Sequence, residues 1–255
     1  VIVDWDDETV DWSSFDAVVI RSTWNYHRMP QAFAAWIDHV SDVTRLHNPA
    51  NIVRWNLDKR YLADVQAAGF PVIATRFVDD EAALNSVDFD GDIMVKPTVS
   101  AGSNDTARFT RSADEAREHA HTILRAGKAV MVQPYLSTID TFGETGLLYF
   151  NGAFSHAFRK GAIFADGDAH HNGLYVEEDI AARDAAEHER QLGDRVVAWI
   201  ADRFGEMPLY ARVDVVSTSA TTAEIMEIEL IEPSLFLHTA ADAPVNAARA
   251  IAAAL

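Results

Sequence analysis

The chain has 255 residues, 49% of them hydrophobic and 24% charged, no cysteine, and a formal net charge of −18. That length can bury a full core in one or two domains. The acidic balance argues against a nucleic-acid partner, which needs clustered Lys and Arg, but leaves room for a local nucleotide pocket; the absence of cysteine excludes disulfides and thiol chemistry. No apolar run approaches the ~20 residues of a membrane span. No signal peptide is visible, so a cytoplasmic location and no membrane partner are expected, with the reservation that the chain opens at Val1 rather than Met.

In chain order, Val1-Ile2-Val3-Asp4-Trp5 and Ala17-Val18-Val19-Ile20 are predicted as short buried strands. Residues 30–40 have helical spacing, with Phe33, Trp36, Ile37 and Val40 on one side. Asn48-Pro49-Ala50 reads as a turn, and 57–68 as a helix closed by Gly69. Strands are predicted at 72–75, 93–97 and 130–133. A loop covers 98–106, and a helix capped by Ser112 runs to about Ala126. Asn151-Gly152 marks a hairpin between 146–150 and 153–159. A long amphipathic helix is predicted over 182–204 and an Ala-rich one from about Ala240. Strands and helices alternate up to Pro71, after which hairpins and helices mix. This predicts a mixed α/β and α+β protein: a small N-terminal parallel α/β domain, then α+β material.

The strongest chemical signal lies in Leu209-Tyr210-Ala211-Arg212-Val213-Asp214-Val215-Val216 and Glu224-Ile225-Met226-Glu227-Ile228-Glu229-Leu230-Ile231-Glu232-Pro233-Ser234. Read as an antiparallel hairpin, Arg212 and Asp214 share one face of the first strand, and Glu227 and Glu229 one face of the second. Three converging carboxylates repel one another unless a cation joins them, and hard oxygen ligands suit magnesium. The competing reading is a solvated acidic strand face.

Lys96 ends an apolar strand and precedes Ser100-Ala101-Gly102-Ser103-Asn104-Asp105-Thr106. A bound phosphate would pair this lysine, and the small-residue loop would expose backbone N–H groups to it. The alternative is a strand-end lysine snorkelling to solvent. Lys59, near the start of the 57–68 helix, is unfavourably placed against the helix dipole unless it serves a phosphate; the alternative is a solvated helix lysine. Val132-Gln133-Pro134-Tyr135-Leu136 is a strand end broken by proline, able to present backbone polar groups to a flat polar ring.

The order of these parts resembles the ATP-grasp superfamily, near the prokaryotic glutathione synthetase and D-alanine–D-alanine ligase type. The matching residues are Trp55-Asn56-Leu57-Asp58-Lys59, Met94-Val95-Lys96-Pro97 with its loop, Val132-Gln133-Pro134-Tyr135-Leu136, Gly143-Glu144, Arg159-Lys160, Arg212-Val213-Asp214, and Glu227-Ile228-Glu229 before Pro233-Ser234. The resemblance spans roughly 48–237. It implies an ATP-grasp fold divided as 1–50 (substrate-side domain), 51–136 (central subdomain with the phosphate loop) and 137–255 (subdomain with the metal site). It also implies that Lys59 and Lys96 hold ATP phosphates and that the loop with Ser100 and Gly102 is the flap over them. Gln133, Tyr135 and Leu136 would form the adenine hinge, and Glu144 would bind ribose. Asp214, Glu227 and Glu229 would hold two magnesium ions, Arg212 would stabilise an oxyanion, and Arg159 and Lys160 would lie near the γ-phosphate or the substrate carboxylate. The third metal position is often Asn in the family and is Glu229 here. The loop is poorer in glycine than is usual. The family's first strand and helix are expected to precede Val1.

Arg21-Ser22-Thr23-Trp24-Asn25-Tyr26-His27-Arg28, Asn48-Pro49, and Trp55-Asn56-Leu57-Asp58-Lys59-Arg60-Tyr61-Leu62 resemble, more closely, the O-ureidoserine cyclo-ligases of cycloserine biosynthesis and their relatives. The first of these follows a strand of the parallel sheet, where open α/β sheets bind ligands. Arg21, Tyr26, His27 and Arg28 are therefore candidates for a substrate carboxylate, the alternative being residues that cap and pack a loop. His119 and His121 point in different directions on their helix, and His170-His171 lies in a polar loop, so no zinc site is expected. The resemblance implies an ATP-dependent carboxylate–amine or intramolecular cyclising ligase that works through an acyl phosphate on a small amino-acid-like substrate, as a possible homodimer. A phosphoryl-transfer enzyme and a non-catalytic nucleotide-binding protein are the rivals.

Overall fold

The computed structural model describes residues 1–164 and 178–255. The elements are β1 (Ala17–Val19), α1 (Pro30–Val43), β2 (Arg45–His47), α2 (Ala50–Asn56), α3 (Tyr61–Ala67), β3 (Arg76–Val78), α4 (Glu81–Leu84), β4 (Asp92–Pro97), β5 (Ala107–Thr110), α5 (Ala113–Arg125), β6 (Val130–Pro134), α6 (Thr138–Phe142), β7 (Glu144–Phe150), β8 (Ala153–Lys160), β9 (Ile180–Arg183), α7 (Glu187–Phe204), β10 (Tyr210–Ser217), β11 (Ala223–Glu229) and α8 (Ala243–Ala254). They form a parallel pair β1-β2, a four-stranded antiparallel sheet ordered β3-β6-β4-β5, and a five-stranded antiparallel sheet ordered β11-β10-β7-β8-β9.

Strand alternation gives each larger sheet one apolar face and one functional face. In the five-stranded sheet, Ala211, Val213, Val215, Ile225 and Ile228 pack against Leu192, Val196, Val197 and Ile200 of α7. In the four-stranded sheet, Ile93, Val95, Val130 and Val132 pack against Ala116, Ala120 and Ile123 of α5. Each sheet is thus backed by a helix, and the intervening residues of β4, β6, β10 and β11 turn toward a shared cleft. In the N-terminal part, α1 presents Phe33, Ile37 and Val40 to Trp5, Trp12 and Ile20.

Edge strand β11 is held by side chains and by a short stretch of extended chain. Asn56 Nδ2 donates to Ile228 O, and Asn56 Oδ1 accepts from Leu230 N–H. The Tyr61 hydroxyl donates to Ile228 O at 2.8 Å and accepts from Ile228 N–H at 2.7 Å. Buried Asn48 donates to the carbonyls of Tyr210 and Leu230 and accepts from Leu209 N–H.

Several sequence expectations are corrected. Residues 1–5 form no strand, because Val1, Ile2 and Val3 are exposed and only Trp5 is buried. The strand expected at 72–75 is a single bridge from Val72 to Ile225, and the strand itself is β3, slightly downstream. The 57–68 helix begins only at Tyr61, while Ala50, expected in a turn, opens α2. The long helix starts at Glu187, its expected beginning having been taken by β9. Ser112 precedes α5 without capping it, since its hydroxyl points back toward Thr110 O. No helix among the described residues is long and apolar enough to cross a membrane.

Candidate active site

The two functional faces enclose a cavity of about 430 Å³. Its chemical centre is the β10–β11 hairpin, whose register sets Arg212 opposite Glu229 and Asp214 opposite Glu227. Directly opposed side chains in an antiparallel pair lie close enough to interact. Arg212 Nε and Nη2 each donate to Asp214 at 2.8 Å, and Nη2 also donates to Glu229. Neighbouring β7 supplies Gly146 opposite Asp214. A Cβ there would lie 2.2 Å from the Phe158 ring, so glycine makes room for an aromatic floor beneath Arg212.

Lys59, in the turn between α2 and α3, is buried and reaches both walls. Its ammonium donates to Ser100 O at 2.9 Å and lies 3.1 Å from Glu227 Oε1. The solvated-helix alternative is thereby excluded. Lys96 lines the same cavity from β4. Burial lowers its pKa, with Lys59 and Lys160 adding to the effect. At the end of β8, Lys160 lies 2.9 Å from Glu178 and 3.8 Å from Glu144. Burial opposes its charge, but these carboxylates outweigh it and raise its pKa.

The carboxylates are unequal. Burial works against ionisation of Glu227, yet Lys59 and Lys96 hold its pKa low. Burial, with Asp214 and Glu227 nearby, pushes Glu229 up despite Arg212. Burial pushes Glu144 to about 7. Its Oε2 is buried with no hydrogen-bond partner among the described residues. Arg212 and Lys59 engage the hairpin carboxylates, and no group of three or more His, Cys, Asp or Glu among the described residues is gathered as a metal site without them.

The cavity therefore gathers Lys59, Lys96, Ser100, Gly102, Gln133, Tyr135, Leu136, Glu144, Lys160, Arg212, Asp214, Glu227, Glu229 and Tyr26. A curated protein, the cycloserine biosynthesis protein DcsG of Streptomyces lavendulae, is 41% identical over 263 residues, which cover 98% of this chain and 87% of the relative. The chain belongs to the DcsG family. The family model described as the D-cycloserine synthetase DcsG N-terminal domain matches residues 1–48. The crystal structure of D-cycloserine synthetase DcsG superposes with a TM-score of 0.88 at 40% identity, covering 99% of this chain and 88% of that one. The ATP-grasp ligase PsnB, solved with a precursor variant, Mg and ADP, superposes with a TM-score of 0.60 at 17% identity over 94% of this chain and 78% of its own, which establishes the ATP-grasp fold. As a DcsG-family protein with this fold, the chain is an ATP-dependent ligase forming a C–N bond.

Four predicted site residues lie off the lining. Arg159 follows Phe158 on β8 and precedes Lys160, so it points to the opposite face from Lys160, where it pairs with Asp179 at 3.0 Å. His27 is buried, with Nδ1 2.8 Å from Trp24 O. Arg28 is exposed. Arg21 rests its guanidinium 5.7 Å from the Tyr210 ring, near enough for Glu232 and Glu229 to act on its charge. The Tyr135 N–H donates to Asp92 O at 2.8 Å, which removes it from any hydrogen bond to a base. His119 Nε2 contacts Asp105 O and His121 pairs with Glu81, while His170 and His171 lie outside the described residues.

Sequence reasoning missed Arg108, whose signal was only an isolated arginine before Phe109. It bonds Asp92 through two N–H groups, stacks 3.4 Å from the Tyr135 ring centre and donates to Phe164 O. Glu178 and Glu232 were missed as well. Glu232 stood inside the run that carried the metal motif, but off its two-residue alternation.

Proposed function

We propose that this ligase uses ATP to activate the carboxylate of an O-ureidoserine-like amino acid and closes a ring through a nitrogen of the same molecule. A cycloserine-type product holds its C–N bond inside a ring, so acid and nitrogen belong to one substrate. The relationship to the cycloserine biosynthesis protein supports that choice. The observation that carries the reading is that the cross-strand pairs Arg212/Glu229 and Asp214/Glu227 line the same cavity as Lys59 and Lys96.

Lys59 and Lys96 neutralise the phosphates, and the loop bearing Ser100 and Gly102 covers them. The Oε2 of Glu144, which has no hydrogen-bond partner among the described residues, accepts ribose hydroxyls. Gln133, Tyr135 and Leu136, with Ile73, Met94 and Met226, enclose the base. Asp214 and Glu227 face each other across β10 and β11 with Glu229 one strand step away, so the cavity wall offers the hard oxygen donors that divalent cations take. Asp214, Glu227 and Glu229 would hold two magnesium ions, which neutralise phosphate charge when bound. Lys160 steadies the γ-phosphoryl group as a substrate carboxylate oxygen attacks it and ADP leaves. The nitrogen then attacks the acyl carbon, loses a proton, and phosphate departs. Arg212, released from its carboxylate partners, donates to the tetrahedral oxyanion.

The test is ADP release from Mg-ATP with O-ureidoserine as the only acid and no added amine, with mass spectrometry of the product. Stoichiometric ADP and a cyclic product are expected. A stable phosphorylated product would establish a kinase, and the absence of carboxylate-dependent ADP release would refute the ligase assignment.

A further inference from the structure

The cavity contains more carboxylates than the nucleotide and metal assignments use. Asp214 and Glu229 pair with Arg212, Glu227 with Lys59, and Glu144 and Glu178 with Lys160. Glu232, three residues beyond β11, is 6% exposed and lines the same cavity. Among the described residues it has neither an ion pair nor a hydrogen bond. Burying such a carboxylate is unfavourable without a cationic partner. The metal assignment uses Asp214, Glu227 and Glu229 instead, and the neighbouring Arg212 and Lys59 are already paired with those carboxylates.

From these observations we infer that Glu232 receives the α-ammonium group of the substrate, which makes the ligase selective for a free amino acid over its deaminated or N-acylated counterpart. This rests on the ligase reading above. Trp24 and Tyr26 line the cavity from the segment after β1, and the charge of Glu232 acts on both Tyr26 and Arg21. The Tyr26 ring is fixed by stacking on Phe33, with centroids 5.0 Å apart. Aromatic faces beside a carboxylate suit an ammonium ion. The charge of Arg212 also acts on Glu232. An amino acid carries its ammonium and carboxylate on one carbon, so an ammonium held at Glu232 leaves the carboxylate on the Arg212 side. The site spans the N-terminal segment and the end of the metal hairpin, and it would select the substrate before chemistry begins.

The experiment is calorimetric titration of wild type and Glu232→Gln, each saturated with a non-hydrolysable ATP analogue and magnesium. The probes are O-ureidoserine and the analogue with hydrogen in place of the amino group. Wild type is expected to prefer the amino form, and Glu232→Gln to bind that form about 30-fold or more weakly while the deaminated analogue is little changed. Affinity for the ATP analogue and the unfolding midpoint of Glu232→Gln should match wild type, which a general packing defect would not allow. Equal binding of the two probes by wild type, or an unchanged preference in Glu232→Gln, overturns the inference. The wild-type arm needs no variant to fold. Binding selectivity is read without turnover, so loss of the ligase reading would appear separately, as absent ADP release.

Discussion

The two walls of the cavity are built on different physical plans. The five-stranded sheet carries most of its charges on regular strands, with Arg212 tied to Asp214 on its own strand and to the opposed Glu229, and Lys160 tied to the opposed Glu144 and to Glu178 just before β9. The four-stranded sheet contributes Lys96, Met94 and Gln133, then hands over to a loop in which Gly102, Ser103 and Asp105 have positive φ. Ser103 and Asp105 in that region cost about 1 kcal/mol each. Contacts from Lys128 to Asp105 and from His119 to the Asp105 carbonyl offset part of that cost. A fixed wall suits charges that must be preorganised for the transition state, and a loop suits a cover that admits nucleotide and then excludes water.

The largest test of this contrast is on the fixed wall. Glu227→Gln or Asp214→Asn should reduce ADP release at least ~100-fold, equivalent to about 2.7 kcal/mol of transition-state stabilisation, with circular dichroism unchanged. Turnover within tenfold of wild type would show that the hairpin carboxylates are structural. On the wall of the four-stranded sheet, Lys96→Met should raise KM for ATP by about 10-fold or more and leave amino-acid affinity nearly unchanged, since it would remove the charge-assisted phosphate contact proposed for this lysine. A matching loss of amino-acid affinity would mean that the two walls do not divide the substrates as drawn.

The same contrast explains what was legible beforehand. On β10 and β11 a two-residue period fixes direction, so Arg212, Asp214, Glu227 and Glu229 were assigned to one face from their spacing, and the register places them opposite one another. Asn151-Gly152 located the β7–β8 turn for the same local reason: both residues take positive φ. Residues 21–28 have no such period. They include a short 3-10 turn at Tyr26–Arg28, and of the four candidates there only Tyr26 reaches the lining. Lys59 was placed on a helix that starts after it, because Leu57 to Tyr61 carry helix-compatible residues while burial of Lys59 against Ser100 and Glu227 depends on segments distant in sequence. Glu232 and Arg108 were illegible because their significance lies in which partners they have or lack, and partnership is tertiary.

A smaller effect distinguishes the walls by pH. Glu144 has its pKa raised by burial to about 7, so the folded protein holds a proton there that the unfolded chain has released. More protons bound in the native state make stability fall as pH rises from the unfolded value toward 7. The ligand-free protein should therefore lose about 1–2 kcal/mol more than Glu144→Gln over that interval, read from thermal unfolding at a series of pH values. Parallel pH profiles would place Glu144 in contact with solvent.

The smallest expected effect is the sharpest test of strand direction. Arg159 and Lys160 are neighbours on β8 and should differ in consequence because successive side chains leave opposite faces of a sheet. Lys160 points to Glu178 and Glu144 inside the cavity, whereas Arg159 pairs with Asp179 on the other face, at the partly exposed edge beside Phe142. A partly exposed ion pair contributes at most about 1 kcal/mol. Arg159→Ala should therefore leave ADP release within about twofold of wild type and lower stability by less than about 1 kcal/mol. Lys160→Met should slow ADP release by about tenfold or more, because it removes a cation from the proposed phosphoryl-transfer site and leaves Glu144 and Glu178 without their counter-charge. Equal damage from the two substitutions would mean that both faces of β8 reach the reacting groups, and the division into a catalytic face and a supporting face would have to be redrawn at this strand.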